Sequence, residues 1–152
     1  MNDSSNDIKK ILNKIDKRFD SIETRIRKLM LPLDEEAWDI IEYLLKNKGI
    51  IMKISRLKLP DIEFDIYGIE NEEYCIIGDT IIRATPQNIE EVDKKIEEFS
   101  AKYPSYLRKK VIKVVYPIRI TQEAVKEAER RGIWIVTFTK DLTPFIIKRV
   151  FQ

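Results

Sequence analysis

The sequence predicts an α/β fold, a mixed central sheet flanked by helices and preceded by an N-terminal helix. Three observations carry that prediction. Apolar residues over the first thirty positions recur at helical spacing on one narrow stripe. Three short runs rich in Ile, Tyr and Phe then follow one another with turn residues between them. The last third alternates buried-strand runs with helical ones, so the whole reads α-β-β-β-α-β-α-β after the first helix. At 152 residues with 43% hydrophobic positions, the chain suffices for one core and a short appendage.

After a polar start, Ile8, Ile11, Ile15, Phe19, Ile22, Ile26 and Leu29 are spaced 3, 4, 4, 3, 4 and 3. The spacing predicts a helix over 7–30. Two apolar positions per heptad suit a coiled-coil seam, the extra four being a stutter, and a homo-oligomer is expected to form through it. The alternative is a helix folded back on its own domain, because short coiled coils are marginal alone. Pro32 is expected to end the helix, which sets the domains as 1–31 and 32–152.

A second helix is expected from Asp34, which can cap it, with Ala37, Ile40, Ile41, Leu44 and Leu45 as its apolar face and Gly49 as its stop. Strands are expected over 50–55, 62–69 and 74–84, with a turn over 68–71. Pro86 opens a helix reaching about residue 101, with Ile89, Val92, Ile96 and Phe99 on one stripe. A buried strand over 111–116, a helix from the cap Thr121 to Arg131 closed by Gly132, and a strand over 133–138 complete the domain. Residues 141–152 read as a docking helix or strand, and Trp38 and Trp134 as core.

Composition excludes many functions. There is no histidine and a single cysteine, Cys75, so zinc, haem and histidine-based nucleophilic systems cannot be assembled, and no nucleotide-cofactor motif is present. Chemistry must rest on carboxylates, lysine, tyrosine or a hard cation such as Mg²⁺ or Mn²⁺. No apolar run approaches the ~18 residues of a membrane span, no secretory signal stands at the start, and a cytoplasmic location is expected.

Acidic residues concentrate at Asp61, Glu63 and Asp65, with Asp79 in the next strand. Residues two apart on a strand share a face, so Glu63 and Asp65 are expected to point together, and a hairpin that sets Asp79 beside Asp65 outlines a divalent-cation site. The plainer reading is a solvated strand edge.

These residues, in this order, resemble the archaeal and bacterial PD-(D/E)XK nuclease-like proteins that carry a coiled coil before a restriction-endonuclease-like core. The resemblance covers most of the chain and rests on the first helix, on Glu63-Phe64-Asp65, on Gly78-Asp79-Thr80-Ile81 and on Gly132-Ile133-Trp134-Ile135-Val136. It implies Asp65 and Asp79 as metal ligands, with Glu36 or less favourably Glu35 assisting from the helix before the sheet, and Glu63 as a further candidate. It also implies a lysine two residues after Asp79 to orient the attacking water. That position holds Ile81, so the catalytic signature is broken. Arg83, on the same expected face, and Lys94 or Lys95 on the next helix are the candidates for a displaced cation, although arginine is a poor base.

Lys102, Arg108, Lys109, Lys110, Lys113 and Arg119 occur without an intervening acid and with Tyr103 and Tyr106 among them, an arrangement that can meet phosphates and stack bases. The net charge of only +2 argues instead for a solvated loop. The preferred expectation is a weakly active or non-catalytic nuclease-like protein that binds nucleic acid and self-associates. The alternative is an active Mg²⁺-dependent DNA endonuclease with a relocated basic residue.

Overall fold

The computed structural model describes residues 2–138 and 141–149, of which 2–4, 16, 19–31, 148 and 149 are described by their backbone alone. The chain divides into two compact units, residues 1–33 and 34–152. Helix α1 is assigned over Asn2–Asn47 with Pro32 inside it. Pro32 therefore does not end the helix as expected from its missing N–H. The second expected start is absent because the Asp34 carboxylate, the anticipated cap, bonds to the sheet instead. In the first unit Ile8, Ile11 and Ile15 are exposed by 58%, 57% and 41%, whereas Phe19, Ile22, Ile26 and Leu29 of the expected stripe lie outside the described side chains.

The second unit contains β1 (Lys53–Lys58), β2 (Glu63–Glu70), β3 (Tyr74–Ala84), α2 (Pro86–Lys102), β4 (Lys110–Ile120), α3 (Gln122–Arg131), β5 (Ile133–Ile135) and β6 (Lys148–Arg149). They form one mixed sheet in the order β1-β2-β3-β4-β5, with β6 also pairing with β4. β1, β2 and β3 are antiparallel, while β3, β4 and β5 are parallel and joined through α2 and α3. The expected turn at Gly68 falls inside β2. The chain reverses at Asn71, which takes the left-handed conformation that asparagine tolerates (φ 51°).

Apolar residues cover both sheet faces, which is why the central strands read as continuous apolar runs. Phe64, Cys75, Ile77, Val111, Val115, Ile133 and Ile135 pack with Ile89, Val92, Ile96 and Phe99 of α2 and with Ala124 and Ala128 of α3. On the other face, α1 from Asp34 onward buries Ala37, Ile41 and Leu45 and is tied to the sheet by Trp38 Nε1 to Asp65 O (2.7 Å) and by Ile54 N to Glu42 Oε1 (2.7 Å). Thr85 and Thr121 cap α2 and α3, and Gly132 (φ 68°) closes α3. Among the described residues no helix is long and apolar enough to cross a membrane.

One charge network sits inside the α2 layer. Asp93 accepts from Lys113 Nζ at 2.6 Å and from Arg131 Nη1 at 3.0 Å. Burial works to raise the Asp93 pKa, but the Lys113 and Arg131 bonds outweigh it and hold it below the usual carboxylate value. A depressed folded pKa stabilises above the unfolded value of 3.8, and that contribution is lost as pH falls through the folded one. Asp93→Asn is therefore expected to cost about 3–5 kcal/mol at neutral pH, as for other broken buried pairs. In urea melts the gap to wild type should narrow below the unfolded pKa. A gap that persists at low pH would show that packing, not charge, carries the effect.

Candidate functional site

β2 and β3 pair from Glu70–Tyr74 up to Ile66–Gly78, and beyond that point the strands part. A bulge contributes: Ser55 of β1 faces Tyr67 while Leu57 faces Phe64, so two steps on β1 span three on β2. At the fork, side chains replace the lost backbone ladder. The Asp65 N–H donates to Asp79 Oδ1 at 3.0 Å, and the Thr80 N–H donates to Asp65 Oδ2 at 3.1 Å. Each acid thus satisfies the backbone of the opposite strand, and this reciprocal pair fixes both carboxylates at the gap.

Two further groups converge there. Lys95 of α2 stands between Val92 and Phe99 on the flank facing the sheet, and its Nζ lies 2.9 Å from Asp79 Oδ2 and 4.3 Å from the Phe64 ring centre. Lys94, the other helix candidate, pairs with Glu90 one turn back. From the α1 side comes Asp34, 1% exposed, with Oδ1 2.5 Å from Thr80 Oγ1 and Oδ2 taking the Arg56 guanidinium. Thr80 Oγ1 also lies 3.0 Å from Asp65 Oδ2.

Burial pushes the Asp34 pKa up, and the neighbouring Asp65 charge adds to the rise that Thr80 and Arg56 oppose. Burial likewise raises Asp79, against Lys95 and with Asp65. A hydroxyl has one proton, so Thr80 cannot donate to Asp34 and Asp65 at once.

Of the residues singled out in the sequence, the structure brings Asp65 and Asp79 together with Lys95. Glu63 instead accepts from Arg56 Nη1 (3.3 Å), and Glu36 from the Tyr116 hydroxyl (2.6 Å), which together with burial raises that phenol's pKa. Ile81 packs against the α2-side core. Arg83 is exposed, four residues beyond Asp79 and paired in register with Arg119. Asp34 and Thr80 were not singled out, because an Asp before a helix reads as a cap and a strand Thr reads as β-propensity. Among the described residues no group of three or more His, Cys, Asp or Glu side chains is arranged to hold a metal ion.

Much of the basic run is engaged within the fold. Lys102 pairs with Asp61, Lys110 with Glu73 (2.7 Å) and Lys113 with Asp93, while Arg108 donates to the carbonyls of Asn71, Ser105 and Leu107 at 2.9–3.0 Å. Tyr103 and Tyr106 pack with Phe99 in an aromatic cluster, and the Tyr103 hydroxyl bonds to Asp61. Lys109 and Arg119 are exposed.

Fold and site together define an α/β protein with a mixed sheet whose parted strands gather two acids and a lysine. A family described as a domain of unknown function (DUF8196) matches residues 35–145, and the chain belongs to it. No curated protein and no solved structure matches the chain.

Proposed function

We propose that the fork is a divalent-cation site for phosphodiester hydrolysis on a restriction-endonuclease-like core, with Lys95 in the role that the motif lysine would have had at Ile81. The observation that carries the reading is Lys95 Nζ at 2.9 Å from Asp79 Oδ2, supplied from a helix to the acids of two neighbouring strands. The donor set fits the group: hard carboxylate oxygens at Asp65 and Asp79 are the one or two that Mg²⁺ ordinarily takes, its other positions being filled by water and phosphate. When bound, such a cation polarises a phosphoryl oxygen and lowers the pKa of its water. Lys95 would set a positive charge beside the acids that hold the cation, and its ammonium lies over the Phe64 ring. Asp34 and Thr80 orient the Asp65 carboxylate from behind. Cleavage of supercoiled or single-stranded DNA in Mn²⁺ or Mg²⁺, lost in Asp65→Ala, is the expected result. Concentrated protein inactive in both metals refutes it.

A second reading is a binding or assembly module, and one observation favours it. Among the described residues, of the six carboxylate oxygens of Asp34, Asp65 and Asp79 all but Asp65 Oδ1 already accept bonds. In that case the fork is structural and the exposed stripe of Ile8, Ile11 and Ile15 is the working surface, a coiled-coil seam. Size exclusion with light scattering should then show an oligomer that Ile11→Asp with Ile15→Asp dissociates. A monomeric wild type counts against this reading.

A further inference from the structure

Beyond the fork, β3 and β4 run on in parallel, and their register sets Arg83 directly opposite Arg119. Both are exposed, and neither makes a salt bridge among the described residues. Like charges facing each other across two strands repel, so the pair costs stability unless an anion lies between them. The surroundings add to the positive potential. α2 starts directly after β3 with no acidic residue in its first turn, and α3 starts directly after β4 with Glu123 as the acid there. The Thr121 N–H donates to Ala84 O at 3.2 Å, which ties the two helix starts side by side. Each helix N-terminus carries about half a positive charge. Arg83 and Arg119 therefore stand at the carboxyl ends of neighbouring parallel strands, two residues before the caps of α2 and α3, where open α/β sheets take their ligands; the α2 start adds positive potential, while Glu123 offsets that of α3.

We propose that Arg83 and Arg119 form a phosphate clamp for a nucleic-acid strand lying across the fork. Arg83 lies four residue steps beyond Asp79, about 13 Å along β3, within the reach of a short oligonucleotide. The choice of nucleic acid as the phosphate's source rests on the phosphodiesterase reading of the fork; the anion site itself does not. Paired guanidiniums suit a phosphate better than lysines do, because they donate in a planar fork.

The test is fluorescence anisotropy with a short labelled single-stranded oligodeoxynucleotide in EDTA, between about 50 and 200 mM salt. Arg83→Ala with Arg119→Ala is expected to weaken binding about 10-fold or more. The slope of log affinity against log salt should fall by about 0.7 for the one single-strand phosphate that the clamp neutralises. Lysine at both positions should keep the slope. Both side chains are exposed and the double variant relieves their repulsion, so its Tm without ligand should be no lower than that of the wild type. Unchanged affinity and slope in the double variant, or a wild type that does not bind the oligonucleotide, would overturn the clamp. The two proposals fail separately. Arginine-dependent binding without cleavage in Mn²⁺ removes the phosphodiesterase and leaves the clamp, whereas Asp65-dependent cleavage with arginine-independent binding does the reverse.

Discussion

Replacing Lys95 by alanine is expected to lower the rate of DNA cleavage in Mn²⁺ by about 10²–10³-fold, the usual effect of deleting one preorganised group that faces developing charge. The expectation follows from the position of Nζ on Asp79 Oδ2 and from the absence of any cationic group at Ile81, which packs against the core. Loss of Lys95 also removes the group that opposes the burial-driven rise of the Asp79 pKa, so Asp79 should ionise less readily in the variant. Adding Ile81→Lys to the Lys95→Ala background returns an ammonium from the strand side, and at least about 10-fold recovery is expected if its charge is what matters. An Ala variant as fast as wild type would remove Lys95 from the reaction.

Gly78→Ala is expected to be the most damaging single change to the fold. A Cβ at this position would stand 1.6 Å from the Val114 carbonyl oxygen and 2.6 Å from its carbon, both backbone atoms of the neighbouring strand. Neither can turn aside as a side chain would. The strands must separate at the centre of the sheet, one residue from Asp79, and the cost should exceed about 4 kcal/mol, in the exceptional tail of point mutations. Gly68 provides the comparison: its nearest backbone neighbour, Lys53 O, would lie at 2.9 Å and the next two atoms belong to flexible side chains, so Gly68→Ala should be far milder. Urea melts of the two variants test the difference. Similar midpoints would mean that β3 and β4 adjust more freely than their register implies.

The elements of the sheet were legible in the sequence because each obeys one local rule. β3 and β4 are apolar on both faces, Thr85 and Thr121 cap, and Gly132 turns. The sequence misled where a tertiary bond overrode a local one. Asp34 has the look of a helix cap, but its carboxylate binds Thr80 and Arg56, and helix α1 runs through Pro32 without a new start. Alternation along β2 placed Glu63 and Asp65 on one face, yet the bulge opposite β1 and the parting of β2 from β3 depend on pairing that spacing along one strand does not record. The meeting of Asp65 with Asp79 was foreseen from the hairpin. The choice of Lys95 over Lys94 and Arg83 needed the crossover geometry of α2, since a helix lysine is referred to a strand acid only once the helix is docked.

Crystals soaked in Mn²⁺ address the fork most directly through their anomalous density. One ion is expected, bound by the carboxylates of Asp65 and Asp79, with Lys95 Nζ moved off Asp79 Oδ2 and no such density in Asp65→Ala crystals. A saturating soak that leaves the Lys95–Asp79 pair closed, with no ion between the two acids, would contradict it.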